Sequence, residues 1–304
     1  MNLIVICGAT ATGKSDLAIA LAQKLDAEII NADSMQIYKG MDIGTAKLTL
    51  EQRQGVPHHL LDVLEVTQDS TVAWYQDLAR AAVTEIHSRG KDAIIVGGTG
   101  LYIKSILDDL NFPDTDPVVR AGLELELATV GLSVLFERLE KLDPAAAIAI
   151  DRANARRVIR ALEVIAITGK PFTANLPREA STRYPHAMQF GLVLDRDHLS
   201  ELIDQRVNHM WDLGFIEEVD HLLAAGLTTG RTAQLALGYS QIIAMRAGLL
   251  SEEEAKEDTK RATRQYARRQ ETWFSRDERI TWISNAQPRF ETIMKHIEKI
   301  NSQS

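Results

Sequence analysis

The sequence predicts an α/β fold in which a parallel sheet, flanked by helices, is interrupted by an all-helical insertion. Three observations lead to this class. Short apolar runs of strand length alternate with segments of helical periodicity, a mostly helical stretch follows, and strand signals then return. Buried strands separated by helices are typical of parallel βαβ units, because parallel neighbours need a crossover connection.

The elements of the core follow from the length and spacing of the apolar runs. Runs of about four to eight residues rich in Ile and Val indicate buried strands, and longer segments with a period of 3.6 indicate helices. The predicted strands are Leu3–Cys7, Glu28–Asn31, Ala93–Val96, Gln189–Leu194 and Arg279–Ile283. The predicted core helices are Ser15–Leu25, Trp74–Ser88, Gly100–Leu107 and most of Asp197–Trp273.

A helical block separates the third and fourth strands. Asp116–Thr168 is rich in Ala, Leu, Glu and Arg, and the stretch after it is punctuated by Gly169, Pro171, Pro177 and Pro185. We therefore expect a core formed by residues 1–112 and 186–304, and a helical insertion domain formed by residues 113–185.

The composition excludes a disordered or fibrous chain, because 45% of the 304 residues are hydrophobic and 25% are charged. No apolar run reaches the roughly 18 residues of a membrane helix, so no membrane association is expected. The single cysteine, Cys7, cannot form an internal disulfide, and the N-terminal residues lack the basic start of a signal peptide. A cytoplasmic protein, monomeric and without a structural zinc site, is expected.

Positive charge is concentrated in two segments, although the chain has a net charge of −8. The first segment has seven basic residues against two acids: Arg152, Arg156, Arg157, Arg160, Lys170, Arg178 and Arg183. The second, Lys260–Arg269, has five basic residues and no acid. Either segment could bind a polyanion or could form a solvated helix face, and charge alone favours the second interpretation.

A phosphate-binding loop follows the first predicted strand. Its residues fit G-x-x-x-x-G-K-[ST] and are Gly8, Ala9, Thr10, Ala11, Thr12, Gly13, Lys14 and Ser15. In nucleotide-binding and ATP-binding proteins with this motif, backbone N–H groups surround the phosphates, the lysine adds charge, and the hydroxyl binds Mg²⁺. The predicted core is therefore P-loop NTPase-like.

The acid that holds Mg²⁺ in many NTPases is missing from its usual strand. Ala93–Val96 runs instead into Gly97-Gly98-Thr99-Gly100, whose glycines suggest a close approach of the backbone to a ligand, with Thr99 as a hydroxyl donor. The nearest acid after an early strand is Asp33, at the edge of the sheet where open α/β folds bind ligands. Its alternative role is that of a helix N-cap.

The chain resembles the tRNA dimethylallyltransferases, also called tRNA isopentenyltransferases. Besides the phosphate loop, it has their signature DSMQIYKGMDIGTAK at 33–47, PHHLLD at 57–62, GGTGLY at 97–102, RRVIRALEV at 156–164, TRQ at 263–265, RQ at 269–270 and Trp273. It departs from the usual pattern at Ala9, Thr12 and Leu48, where no reactive group is lost. The zinc-finger extension of eukaryotic members is not found, so the bacterial type is expected.

The resemblance implies transfer of a dimethylallyl group from dimethylallyl diphosphate to N6 of the adenosine on the 3′ side of the anticodon. Mg²⁺, bound through Ser15, and the loop Gly8–Ser15 would hold the diphosphate. Asp33 matches the proposed general base, Thr10 matches a residue at the reacting centre, and Arg206 matches an arginine that reaches the diphosphate. The sequence alone favours a different role for Arg206, that of a surface pair with a neighbouring acid such as Glu201 or Asp204.

The resemblance also implies contacts with the anticodon stem-loop of tRNA, made partly by the helical insertion. The matching positions are Asp33, Ser34, Met35, Gln36, Thr99, Arg120, Arg156, Arg157, Val158, Ile159 and Arg160. Gln36 could read a base edge or support a turn. Trp273 is expected in the core.

Two other functions remain open at this point. A P-loop kinase that phosphorylates a small molecule with ATP would share the first strand, the loop and the acid after the second strand, and its lid would account for Arg156, Arg157 and Arg160. An RNA-binding regulator with a relict loop would not need intact Lys14, Ser15 and Asp33. Neither alternative explains the signature at 33–47.

Overall fold

The computed structural model describes residues 1–175 and 181–302. The chain divides into two compact units, one formed by Met1–Leu107 with Tyr184–Ser304 and one by Asp108–Arg183. The helical unit therefore begins at Asp108 rather than at position 113. Arg178, one of the seven basic residues of the first charged segment, lies outside the described residues.

Within the described part of the chain, six strands form one parallel sheet in the order β3-β2-β4-β1-β5-β6. The strands are β1 Leu3–Gly8, β2 Glu28–Asn31, β3 His58–His59, β4 Ala93–Gly97, β5 Met188–Val193 and β6 Ile280–Ser284. The two residues of β3 are too few to give a periodic signal, and the sequence analysis missed this strand. The other five confirm the predicted strands.

The helices of the described residues are α1 Lys14–Leu25, α2 Val72–Ser88, α3 Gly100–Leu107, α4 Pro117–Val130, α5 Leu132–Leu142, α6 Pro144–Ala149, α7 Ala155–Thr168, α8 Arg196–Asp212, α9 Phe215–Ala224, α10 Tyr239–Arg246, α11 Glu252–Phe274 and α12 Arg289–Asn301. The sequence analysis did not predict α12. No helix in these ranges combines the length and the apolar character needed to cross a membrane.

Alternation along β1 separates the two cores of the first unit. Val5 and Cys7 face the side covered by α2 and α3, and Ile4 and Ile6 face the side covered by α1 and α12. Successive side chains of a strand point to opposite faces, so a wholly apolar strand must be covered twice. This is why β1 lies in the middle of the sheet.

The strand order brings three loops together at one edge of the sheet. Ile4 of β1 is paired with Ile94 of β4, and Ile94 is paired in turn with Ile29 of β2. Because the strands are parallel, the segments after β1, β4 and β2 leave the sheet side by side. These segments are the phosphate loop, the glycine-rich turn at 97–100 and the Asp33 segment.

The second unit is a small helical core formed by α4, α5, α6 and α7. Its centre contains Leu135, Leu139, Val158 and Leu162, all nearly inaccessible to solvent. The side chains of Val158 and Ile159 therefore point into this core, and a contact of these two residues with RNA stays a prediction. Helical periodicity explains this arrangement, since the exposed pair Arg156 and Arg157 is followed along α7 by core-facing positions.

Candidate active site

The phosphate loop has the backbone conformation that its glycines permit. Gly8 and Gly13 have φ values of +138° and +81°, and Ala11 has a φ of +64°, which is uncommon for a residue with a side chain. A Cβ at Gly8 would collide with the carbonyl oxygen of Leu192 on β5. Helix α1 begins at Lys14, so its first N–H groups and its dipole face the loop.

Two side chains of the loop bond to the loop itself. The hydroxyl of Thr12 and the Nζ of Lys14 both donate to the carbonyl of Ala9, at 2.9 and 2.5 Å. Burial lowers the pKa of Lys14 from 10.5 to about 8, an effect that Arg206 reinforces and Asp33 opposes. A lysine whose charge is poorly solvated gains most from an anionic ligand.

Two residues that the sequence analysis did not assign to the site brace the loop from outside. The side chain of Gln270 accepts from the N–H of Thr10 and donates to the carbonyl of Gly98, both at 2.9 Å. Arg289 donates to the carbonyls of Thr12 at 2.8 Å and Val193 at 3.0 Å. Gln270 lies in a segment that resembles the family, whereas no sequence signal points to Arg289.

The glycine-rich turn after β4 packs closely against other parts of the protein. A Cβ at Gly97 would collide with the backbone of Ala32, and one at Gly98 would collide with Gln270. Gly100 lies in the same way against Trp273. Gly97 and Gly98 also line the cavity of the phosphate loop, so their close approach to a ligand stays a prediction. The expected burial of Trp273 is wrong, because this residue is 40% exposed.

Asp33 lies just beyond β2 in a tight turn. Its N–H donates to the side chain of Asn31 at 3.0 Å, and its own carboxylate accepts from the N–H of Met35 at 2.8 Å. Among the described residues the next helix is α2, so Asp33 is not a helix N-cap. Burial raises the pKa of this carboxyl, although the N–H of Met35 and the charge of Lys14 oppose the rise.

Arg206 reaches this centre from helix α8. Its Nη1 donates to the hydroxyl of Thr10 at 3.2 Å. Burial lowers the pKa of Arg206 from 12.5, against the attraction of Asp16 and Asp33. The alternative of a solvent-exposed surface pair is therefore wrong.

Two cavities meet at these residues. The first, of about 170 Å³, is lined by the phosphate loop, Lys14 and Ser15. The second, of about 280 Å³, is lined mainly by apolar side chains: Val207, Met210, Phe215, Leu235, Leu237 and Tyr239. Thr10, Asp33, Thr45, Arg206 and Tyr266 line both cavities. A group bound at the loop and a group bound in the apolar cavity would therefore face each other beside Asp33.

The residues that follow Asp33 line the same region. The hydroxyl of Thr99 accepts from the N–H of Ser34 at 3.1 Å. Ser34 and Met35 border the apolar cavity. The amide of Gln36 donates to the carbonyl of Thr45 at 3.0 Å, so in this structure it supports a turn.

In the helical unit, a buried glutamate forms ion pairs with two of the arginines that match the tRNA-contact positions of the family. Glu163 has a fully buried side chain and forms ion pairs with Arg120 and with Arg160, the latter at 2.7 Å. Burial by itself raises the pKa of Glu163, but the hydrogen bonds from these arginines hold it below its ordinary value. Arg156 and Arg157 are exposed.

The second basic segment is largely paired with acids. Lys260, Arg261 and Arg264 form ion pairs with Glu257, Asp258 and Asp204, respectively. The segment's last two residues differ, because Arg268 and Arg269 are exposed and Arg269 lies over the ring of Tyr266. Arg269 also lines the apolar cavity.

The side-chain oxygens at the loop are suited to a metal ion that takes most of its ligands from substrate and water and only one or two from the protein. Ser15 and Asp16 line the first cavity. Within residues 1–175 and 181–302, no three His, Cys, Asp or Glu side chains form a group that could hold a metal ion. Mg²⁺ is commonly held by one or two protein oxygens, substrate phosphates and water.

This chain is similar to known proteins over most of its length. The model of a family described as IPP transferase matches residues 36–277. A tRNA dimethylallyltransferase of Thermobifida fusca is 57% identical over 287 residues, which cover 93% of this chain and 89% of that protein. One from Paenarthrobacter aurescens is 49% identical over 99% of this chain and 96% of its own length.

Solved structures show the same likeness. The tRNA isopentenylpyrophosphate transferase of Bacillus halodurans is 38% identical, with a TM-score of 0.71 over 99% of this chain and 96% of its own. A eukaryotic dimethylallyltransferase captured acting on tRNA is 28% identical, with a TM-score of 0.78 over 93% of this chain and 73% of its own. With a matching model over most of its length and relatives of this similarity, the chain belongs to the IPP transferase family.

Proposed function

We propose that this protein is a tRNA dimethylallyltransferase that uses dimethylallyl diphosphate as its donor. The observation that carries the proposal is the position of Asp33, which lies where the cavity lined by the phosphate loop and the apolar cavity meet. The acceptor is N6 of the adenosine on the 3′ side of the anticodon. A transferase needs such a junction, because donor and acceptor must meet in a site shielded from water.

The diphosphate would lie in the first cavity, against the phosphate loop. Backbone N–H groups, the Lys14 ammonium and the Arg206 guanidinium would stabilise the charge that grows on the leaving diphosphate. Ser15 is suited to hold Mg²⁺ together with diphosphate oxygens, and the ion would supply further neutralisation of that charge.

The adenine would enter the second cavity. A base inside the anticodon loop has to leave its stack to reach a buried centre, and the apolar wall formed by Phe215, Leu237 and Tyr239 offers it a place. N6 of the adenine forms a bond to the dimethylallyl carbon that carries the diphosphate, and the bond between this carbon and the diphosphate oxygen breaks. The N6 proton passes to the carboxylate of Asp33. A raised pKa makes Asp33 a stronger base.

The helical unit would hold the anticodon stem-loop. The exposed Arg156 and Arg157 are suited to bind phosphates, while Arg120 and Arg160 are partly exposed and paired with Glu163. Single-stranded loops are recognised by such phosphate contacts together with splayed bases. The cytoplasmic location and the monomeric state stay predictions.

The test is a prenylation assay with purified protein, Mg²⁺, dimethylallyl diphosphate and unmodified tRNA, followed by digestion and mass spectrometry of the nucleosides. Asp33→Asn should lower kcat by about 10²- to 10⁴-fold, which is the usual contribution of a general base. Asp77→Asn, on the exposed face of α2, is the matched control and should retain full activity.

The outcomes separate the parts of the proposal. Absence of dimethylallyl-adenosine from every tRNA, together with ATP-dependent phosphorylation of a small metabolite, would overturn the transferase in favour of a kinase. Full turnover by Asp33→Asn would leave the transferase intact and remove Asp33 as the base.

A further inference from the structure

The long connection between β2 and β3 forms part of both cavities, although it has little regular structure. Its residues Ser34, Met35, Gly44 and Thr45 line the apolar cavity. Gln36 and Thr45 line the first cavity, which the phosphate loop also lines. The shape of both cavities therefore depends on whatever holds this connection in place.

A single carboxylate on α9 holds the centre of that connection. Glu218 accepts from three consecutive backbone N–H groups, those of Asp42 at 3.1 Å, Ile43 at 2.6 Å and Gly44 at 3.2 Å. The hydroxyl of Tyr239 donates to the same carboxylate at 2.5 Å. Hydrogen bonds to an ionised acceptor are about twice as strong as neutral ones, and successive N–H groups form a natural anion site.

The aromatic wall of the apolar cavity closes on the same turn. A Cβ at Gly44 would collide with the rings of Phe215 and Tyr239, so these rings pack directly against its backbone. The two rings meet edge to face, with centroids 4.9 Å apart. Glu218 thus sets the position of the backbone on which the wall of the cavity rests.

The turn held by Glu218 also positions Gln36. The carbonyl of Thr45, next to the Gly44 N–H, accepts the hydrogen bond from the Gln36 amide. On the far side of the turn, the buried ammonium of Lys47 donates to the side chains of Asp42 and Asp62 and to the carbonyl of Tyr38. One series of hydrogen bonds therefore connects Glu218, through the 42–45 turn, with Gln36.

We propose that Glu218 is a positioning residue for the acceptor nucleotide: it fixes the 42–45 turn, and through this turn it sets the Gln36 amide and the wall of the apolar cavity. This inference rests on the proposed function, because it names the side of the site that receives the RNA. The phosphate loop has hydrogen bonds of its own to Gln270 and Arg289, so we expect donor binding to depend on Glu218 less than RNA binding does.

The experiment compares Glu218→Gln with the wild type in steady-state prenylation of an anticodon stem-loop RNA. The amide keeps the shape of the side chain but loses the charge and turns one acceptor into a donor. We expect the KM for the RNA to rise about tenfold, the cost of weakening charge-assisted hydrogen bonds, and the KM for dimethylallyl diphosphate to change less than about twofold. Tyr239→Phe, which removes one of the four donors, should shift the same KM by less.

Two further variants separate positioning from general stability. Glu217→Gln changes the neighbouring exposed glutamate of the same helix turn and should leave both KM values unchanged. In a double-mutant cycle, Gln36→Ala combined with Glu218→Gln should raise the KM for RNA by less than the product of the single effects, because the two side chains act along one path.

Equal increases in the two KM values, or effects of Gln36 and Glu218 that simply multiply, would overturn the positioning role. A Glu218→Gln protein with wild-type kinetics would overturn it as well. A wild-type protein that forms no prenylated adenosine would remove the proposed function itself, so the two failures are distinguishable.

Discussion

The guanidinium of Arg206 donates a hydrogen bond to the hydroxyl of Thr10 at 3.2 Å, although 196 positions separate the two residues in the chain. The contact places helix α8 over the phosphate loop and puts a second buried cation beside Lys14 and Asp33. It also orients the Thr10 hydroxyl at the junction of the two cavities. The centre of the site is thus formed by both chain segments of the first unit, Met1–Leu107 and Tyr184–Ser304.

The loss of diphosphate affinity at high pH should depend on Lys14. Burial lowers its pKa to about 8, so its charge is present below that pH and is lost above it. Inhibition by pyrophosphate should weaken as the pH rises from about 7 to 9, with proton uptake on binding at the upper end. In Lys14→Arg this weakening should be lost, because arginine stays charged, and only the titration of pyrophosphate itself should remain. An equal pH dependence in both proteins would contradict the assignment.

Gln270→Ala should weaken both the fold and the loop. It leaves the N–H of Thr10 and the carbonyl of Gly98 without their partner, which costs about 1–3 kcal/mol in the free energy of unfolding. Urea denaturation measures this cost, and pyrophosphate inhibition measures the effect on the loop. Gln265→Ala, on the exposed face of the same helix, should change neither. A variant that keeps wild-type stability would show that water replaces the side chain.

Two glycine substitutions should act in opposite directions. Gly97→Ala drives a Cβ into the backbone of Ala32 between two central strands, and overpacking of this kind costs about 1–3 kcal/mol or more. Gly122→Ala lies in the interior of α4, where a Cβ meets nothing within 4 Å, and should stabilise the helical unit by about 0.5–1 kcal/mol. Denaturant unfolding of both variants checks the signs, and stabilisation by Gly97→Ala would refute the packing argument.

Glu163→Gln should destabilise the helical unit and change its response to acid. We expect a loss of about 2–3 kcal/mol, below the roughly 3–5 of a wholly buried pair, because both arginines are partly exposed. The pKa of Glu163 is lowered in the folded protein, so its contribution is present above its ordinary pKa and is lost as the pH falls through the folded value. Acid titration of unfolding should therefore be flatter in the variant. Glu124→Gln, an exposed change in α4, is the control.

The phosphate loop and the main strands were predictable because their signals are local. The spacing of Gly8, Gly13 and Lys14 predicts where the chain turns and where a helix begins. The bounds of β2 and α3 agree with the prediction to the residue, since apolar runs and glycines mark their ends. The two-residue strand β3 and helix α12 carry weaker signals and were missed.

The side-chain hydrogen bonds that hold the site in place were not predictable, because they join segments that are distant in the chain. Arg289 bonds to Thr12 across 277 positions, and Gln270 bonds to Gly98 across 172. A pattern of residues gives the chemistry of such a side chain but not the group that it will meet. The glycines at 97–100 illustrate this: their small size was evident, and the neighbours that require it were not.

The sequence by itself determined the class of fold, the phosphate loop and the presence of Asp33 after an early strand, because each depends on residues that are neighbours in the chain. Only the tertiary structure decided that Arg206 reaches Thr10, that Glu163 pairs with Arg120, and that Glu218 holds the 42–45 turn. The physical reason is that a charged side chain stabilises whatever partner burial brings within hydrogen-bonding distance, and that partner is chosen by the packing of whole helices against the sheet.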